Sequence, residues 1–365
     1  MDNNSELNPN WASNPGETIS EILSRKGISM SEFSKSLDLP LFEAKKLTQG
    51  YISIDEKIAI KLSTLLGGSA NFWLRLQTLY DHYSNKVKEI EEQRWLKELP
   101  IKQMQTNGWI NKNESLLESC LVFFNVSDVW TWRKKYSDIA TLALFRKSQK
   151  FDSIPASVAT WIRQGERQAE KLPLQKWDAK LFKAHFNEIK RLTRQKDSLS
   201  FIDKLRSICC DCGVALAIVP NPPGCSASGA AKFLDNGAGL IIVSLRYGTD
   251  DHFWFTFFHE AGHLLMHGQR DTFIDENIEE PAEENEEQEA NDFALEVLLP
   301  GNLKNEIKQI KVSEESIRSL ANKAGVSLGI IVGQLQHIQK INRNHYNGFK
   351  RKINREEVFR KYQLS

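Results

Sequence analysis

The stretch that most constrains this chain is DDHFWFTFFHEAGHLLMHG, from Asp250 to Gly268. It contains no proline, Asp250 or Asp251 is placed to cap it and Gly268 to stop it, so a single helix is expected. The helix is apolar nearly all round, which requires burial. Within it, His259-Glu260-Ala261-Gly262-His263 sets two imidazoles four residues apart, on one helical face. Two histidines and a glutamate are costly to bury unless something pairs with them, and a metal ion does. The pattern points to Zn2+ held by His259 and His263, with Glu260 as general base toward a water at that ion. His267 repeats the spacing, but its Cα lies about 12 Å along the axis from that of His259 at 1.5 Å per residue. It is therefore expected beside the site, in a supporting role, and not as a ligand.

A catalytic zinc takes a third protein ligand and keeps one position open. The run EEQEANDFALEVLLP over residues 286–300 places Ala290, Phe293, Ala294, Val297 and Leu298 at helical spacing and closes with Pro300. Glu287 and Asn291 share a face, so one can coordinate while the other holds a ligand histidine from behind. Glu286 and Glu289 are rival donors in the same acidic segment. Taken together, His-Glu-x-x-His followed by Glu-x-x-Ala-Asn-x-Phe-Ala and then Leu298-Leu299-Pro300 resembles the ImmA/IrrE family of zinc metallopeptidases. The resemblance implies that Glu287 is the third ligand. It also implies a zincin-like domain with a small sheet whose edge strand lines the cleft.

The 365 residues suggest two or three domains, and the net charge of +1 marks no bulk preference for polyanions. No run of eighteen apolar residues is present, so no transmembrane helix is expected, and no basic start followed by an apolar segment suggests a signal peptide. Five cysteines do not make a disulfide framework, and a reducing, cytoplasmic setting is expected. Cys209, Cys210, Cys212 and Cys225 match no common ribbon or finger spacing. Charge is unevenly placed. Residues 275–289 hold nine acids and are expected to form a mobile loop before the Glu287 helix. Residues 301–365 hold thirteen bases against five acids.

The first 84 residues read as five short helices: Pro15-Gly16-Glu17 opens the first, Ser29 or Ser31 caps the second, and Asp38-Leu39-Pro40 turns into the third. Asn14-Pro15-Gly16-Glu17, Ser29-Met30-Ser31-Glu32-Phe33-Ser34, Gln49-Gly50 and Asn71-Phe72-Trp73-Leu74 resemble the HigA-type helix-turn-helix antitoxin domain. The resemblance implies DNA contacts from the third helix, where Lys45, Lys46 and Gln49 are the candidates. That helix opens Leu41-Phe42-Glu43, Asp38 stands where glycine is usual, and residues 1–84 carry ten acids against eight bases. A DNA reader normally has a positive footprint, so use of this bundle for protein contact is an equal alternative.

Residues 85–200 read as a helical middle with tryptophans as aromatic core. Residues 213–220 and 240–245 read as strands, with a short one near 230–234. Residues 339–365 read as a basic tail, a second candidate for non-specific nucleic-acid contact. Cys225, in a proline- and glycine-rich loop before the cleft region, is a candidate cysteine switch: a thiolate is a good zinc ligand and can fill the open position. The expected fold class is α+β, mostly α, divided as 1–84, 85–200, 201–338 and 339–365. The expected function is zinc-dependent endoproteolysis of a repressor or toxin–antitoxin partner. The alternative is a non-proteolytic antitoxin or regulator whose zinc domain is a binding platform. Partners would be a protein substrate and DNA, with no membrane, and a homodimer is compatible.

Overall fold

A computed structural model describes residues 14–50, 52–136, 154–267 and 281–363. The chain forms two compact units, Met1–Trp95 and Leu96–Ser365. It is mostly helical, with one three-stranded sheet among the described residues. No described helix is long and apolar enough to cross a membrane.

In the first unit, α1 (Pro15–Lys26), α2 (Met30–Leu37), α3 (Leu41–Thr48), α4 (Glu56–Leu66) and α5 (Ala70–Glu98) surround a core of Ile19, Leu23, Phe33, Leu37, Leu47, Leu62 and Trp73. Ser29 accepts from the Glu32 amide and Glu32 reaches back to the Ser29 amide, a capping box that starts α2. Asp38 ends it in the left-handed region at φ 52°. Lys61 stabilises that conformation, donating to the Leu37 carbonyl at 2.6 Å and pairing with the Asp38 carboxylate at 3.0 Å. This is how a non-glycine turn survives here. The fifth helix is not short: it continues 29 residues to Glu98, so the 84/85 division falls inside it.

The second unit begins with α6 (Ile101–Thr106), α7 (Leu116–Phe124), α8 (Pro155–Ala169), α9 (Ala179–Ala184), α10 (Phe186–Leu192) and α11 (Ser198–Asp211). Trp109, Trp132 and Trp161 are buried as aromatic core, whereas Trp130 is exposed. Strands β1 (Val214–Ile218), β2 (Gly229–Phe233) and β3 (Gly239–Val243) follow, in the order β1-β3-β2, with β1 parallel and β2 antiparallel to β3. β1 and β3 are buried throughout, as their unbroken apolar runs require. Then come α12 (Asp250–Met266), α13 (Pro281–Leu298), α14 (Leu303–Gln309), α15 (Glu314–Ala324), α16 (Leu328–His337) and α17 (Arg355–Gln363). One core joins Phe182, Ile189 and Phe201 to Leu216, Ile241, Trp254, Phe258, Leu298, Ile331 and Val358. It therefore runs across residue 200 and into the C-terminal segment.

The two edges of the sheet differ. The β1 edge is closed by Gln168 of α8, which donates to the Ile218 carbonyl and accepts from the Ile218 amide, both at 3.0 Å. Trp161 donates to the next carbonyl, Val219, at 3.0 Å. The β2 edge follows from its register. Ser244 donates to the Ser228 carbonyl and Leu234 to the Ala238 carbonyl, so alternate residues from 228 to 234 pair with β3. Gly229, Ala231 and Phe233 then turn their amides and carbonyls away from β3.

Three expectations are corrected. Thr249, not Asp250 or Asp251, is the N-cap of α12. Asp250 is buried one position further on, accepting from Ser327 at 2.8 Å and from the Arg351 amide at 2.9 Å. Gly268 and residues 275–280 lie outside the described residues, but 281–289 are helix, not loop. Proline suits a first turn, and acidic residues suit the positive end of a helix dipole. The C-terminal segment, read as a basic tail, is packed into the unit. Lys350 pairs with Asp251 at 2.6 Å with both side chains nearly buried, Thr249 bridges to Lys352, and Arg351 donates to the carbonyls of Thr193 and Gln195. Ile353, Val358 and Tyr362 complete the core. Lys350 and Arg351 are thus spent on holding α12, which removes them from a nucleic-acid surface.

Breaking a buried ion pair strands its partner charge, at a cost of about 3 kcal/mol. Lys350→Ala is expected to lower the unfolding free energy of this unit by about that amount, seen as a lower urea midpoint. An unchanged midpoint would show that the pair does not hold the segment.

Candidate metal centre

The site is made by the crossing of α12 and α13. Phe253, Trp254, Phe257, Phe258, Ala261 and Leu264 turn into the core, which leaves His259 and His263 on the face toward α13. The helices meet where both residues are small. A Cβ on Gly262 would stand 3.4 Å from the Ala290 Cα and 3.0 Å from the Phe293 ring. That close approach brings Glu287, one turn before Ala290, over the two imidazoles.

The donor atoms converge. His259 Nε2 and His263 Nε2 are 3.1 Å apart. Glu287 places Oε2 3.4 Å from His259 Nε2 and Oε1 3.3 Å from His263 Nε2. A tetrahedral ion with bonds of about 2.0–2.1 Å to nitrogen and oxygen has ligand–ligand edges of about 3.3–3.4 Å. The three residues therefore fit a tetrahedral metal with one position left over. Among the described residues no second group of His, Cys, Asp and Glu donors converges in this way.

Charge and hydrogen bonding suit a cation here. Burial works against the His259 imidazolium, but Glu287 and Glu260 outweigh it and raise the His259 pKa. Burial likewise opposes ionisation of Glu287, yet hydrogen bonds and charge from His259 and His263 hold its carboxyl far below the usual range. Asn291 Oδ1 sits 3.1 Å from His259 Nδ1. An amide carbonyl only accepts, so Nδ1 carries the proton and Nε2 turns its lone pair to the centre. Glu286 and Glu289 do not join the cluster: they approach His267, at 3.9 and 3.6 Å.

Glu260 is buried on the flank of α12 that faces β2. A Cβ on Gly229 would lie 2.5 Å from Glu260 Oε1 and 2.6 Å from Thr256 Cγ2. Only glycine lets this edge strand pass so close over the carboxylate. The strand is held from behind as well: Lys232 pairs at 2.7 Å with Glu166 of α8, which also binds Arg163 at 3.1 Å.

The chain resembles known proteins at both ends. The family model Peptidase_M78, described as an IrrE N-terminal-like domain, matches residues 226–335. The N-terminal region is 33% identical over 66 residues to the uncharacterized HTH-type transcriptional regulator YddM of Escherichia coli (strain K12), covering 18% of this chain and 70% of that protein. The chain belongs with these HTH-type regulators and carries an IrrE N-terminal-like peptidase domain. Within that domain lie β2, β3, both helices of the centre and most of α16.

Other sequence candidates are placed differently. Cys225, one residue outside the matched span, does not join the donor group of the IrrE N-terminal-like domain. Its sulfur accepts from Asn221 at 3.4 Å, and burial raises its thiol pKa, which disfavours a thiolate. The expected ligation by Cys225 is therefore not met, because the loop is tied down by Ile154 and Ser157 donating to the Gly224 and Pro223 carbonyls. Lys45, Lys46 and Gln49 are exposed on and just after α3, beside exposed Leu41 and Phe42. Sequence reasoning missed Gly229, Lys232 and Gln168. No local spacing marks them, since each acts on a residue far off in the chain.

The protein is expected to bind one divalent metal ion per chain, measured by elemental analysis after dialysis. His259→Ala, His263→Ala and Glu287→Ala should each abolish stoichiometric binding, and Glu289→Ala should not. Asn291→Ala should weaken affinity by about 10–100-fold, as loss of a histidine-orienting partner does.

Proposed function

We propose that this protein is a zinc-dependent endopeptidase joined to a helix-turn-helix regulator, and that it cleaves a protein partner such as a repressor or a toxin–antitoxin component in the cytoplasm. The division into a helix-turn-helix domain over 1–84, a helical region over 85–200, a peptidase domain over 201–338 and a C-terminal segment over 339–365 belongs to this reading. The observation that carries it is the placement of Glu260 between the three-donor cluster and the outward-facing edge of β2. A purely structural metal site needs no buried carboxylate at that position.

Zinc, when bound by His259, His263 and Glu287, supplies a Lewis acid that activates water and polarises the scissile carbonyl. The chain supplies the rest. An extended substrate segment adds to β2, hydrogen-bonded through the outward amides and carbonyls of Gly229, Ala231 and Phe233. Gln168 closes the other edge of the sheet, so strand addition is directed to the Glu260 side. Glu260 accepts a proton from the attacking water on its carboxylate and delivers it to the leaving amine. Asn291 fixes the His259 tautomer throughout. The homology to an HTH-type regulator supports DNA binding by the first unit, with Lys45, Lys46 and Gln49 as the contacts. Exposed Leu41 and Phe42 favour protein contact as the second use of the same face.

The test is cleavage of a proteome-derived peptide library by the zinc-loaded protein. Glu260→Gln should keep full metal occupancy and lose about 10²–10⁴ in rate, since an amide packs there but takes no proton. Ala231→Pro removes one outward donor without touching the pairing to β3 and should raise KM more than it lowers kcat. Binding of library peptides without cleavage, equal for wild type and Glu260→Gln, would instead support the non-proteolytic platform.

A further inference from the structure

The long helix α5 carries an apolar stripe that its own unit leaves bare. Phe72, Leu79, Tyr83 and Ile90 are 47, 54, 39 and 57% exposed. With half-buried Leu76 and exposed Lys86 they recur at spacings of four, three, four, three and four. That is the alternation of a two-helix seam, and it runs about 27 Å along the axis at 1.5 Å per residue. The N-terminal half of the stripe forms a groove of about 360 Å³ lined by Ser69, Asn71, Phe72, Arg75, Leu76 and Leu79. In the C-terminal half the side chains project: all described side chains from 81 to 90 are exposed.

We infer that α5 pairs antiparallel with α5 of a second copy of this chain. The sequence of the stripe is complementary to itself only in that direction. About a twofold axis at residue 81, Phe72 meets Ile90 of the other copy, Leu79 meets Tyr83, and the aliphatic stem of Lys86 lies over Leu76. The knobs of each C-terminal half enter the groove of the opposite N-terminal half. The flanking charges obey the same symmetry. Arg75 and Glu89 lie on the same flank of the seam, fourteen residues apart and centred on residue 82. An antiparallel pair juxtaposes Arg75 with Glu89 twice and keeps the two Lys86 side chains apart, whereas a parallel pair would set Arg75 against Tyr80 and Lys86 against Lys86 within the seam. The apolar character of the seam gives the attraction, and the charges give the direction.

The experiment is sedimentation equilibrium and light scattering on the full chain at micromolar concentration. Wild type should have twice the 41.8 kDa chain mass. Leu79→Asp combined with Tyr83→Asp should be monomeric with unchanged helical circular dichroism, since both residues are exposed. Arg75→Glu and Glu89→Arg should each weaken the dimer about tenfold, two like-charge contacts being made per dimer. The double variant Arg75→Glu/Glu89→Arg should regain wild-type affinity. A monomeric wild type, as when the stripe is covered by another part of the same chain, would overturn the inference. So would a dimer indifferent to the Leu79 and Tyr83 changes, or charge variants that the double exchange fails to rescue.

Discussion

The second unit depends on the burial of α12. A helix bearing His259, Glu260 and His263 among Phe253, Trp254, Phe257 and Phe258 is stable only if its polar face is fully engaged. The fold supplies partners at both ends of the helix and at its middle. At the N-terminal end Asp250 and Asp251 are tied to Ser327, Arg351 and Lys350. In the middle, Glu287 and Asn291 come down onto the two histidines. The C-terminal end brings His267 against Glu286 and Glu289. The chain's last elements and its acidic helix are thus both recruited to one buried segment.

The sheet is small, and its asymmetry matters more than its size. Gln168 occupies the hydrogen-bonding groups of Ile218 at one edge, while the outward groups of Gly229, Ala231 and Phe233 define the other. Buried Arg163 and Glu166 and half-buried Lys232 form a chain of charge from α8 into β2. Such a chain fixes the strand at the height where Gly229 crosses Glu260. The helices before residue 200 therefore support the candidate site from behind, and their removal would loosen β2.

The N-terminal unit follows a different logic. Its core is conventional for a helix-turn-helix bundle, and its turn tolerates Asp38 because Lys61 covers it. Its surface is where it departs. Leu41 and Phe42 lead α3, and the apolar seam of α5 extends beyond the bundle. Both features put attraction for protein beside a modest set of candidate DNA contacts. A regulator that pairs through α5 would present two copies of α3 together, which is the arrangement that reading a two-part site requires.

Much of this was legible in the sequence. The apolar run with His-Glu-x-x-His, the Glu-x-x-Ala-Asn helix and the strand at 240–245 are local patterns whose period fixes their structure. His259, His263, Glu287 and Asn291 could be nominated because a helical face is determined by spacing alone. What spacing cannot determine is which distant groups meet that face. Thr249 replaced Asp250 as cap because Ser327 and Arg351 claim the aspartate. The C-terminal segment reads only as a basic tail because its value lies in contacts to Asp250, Asp251 and the core. Cys225 looked free to reach a metal until its loop was seen held by α8. Gly229 and Gln168 carried no signal at all. The sequence by itself determined the chemistry offered by each helix face, because covalent spacing sets it. Tertiary structure alone decided which face that chemistry meets, because packing and charge pairing between remote segments are settled only when the chain closes.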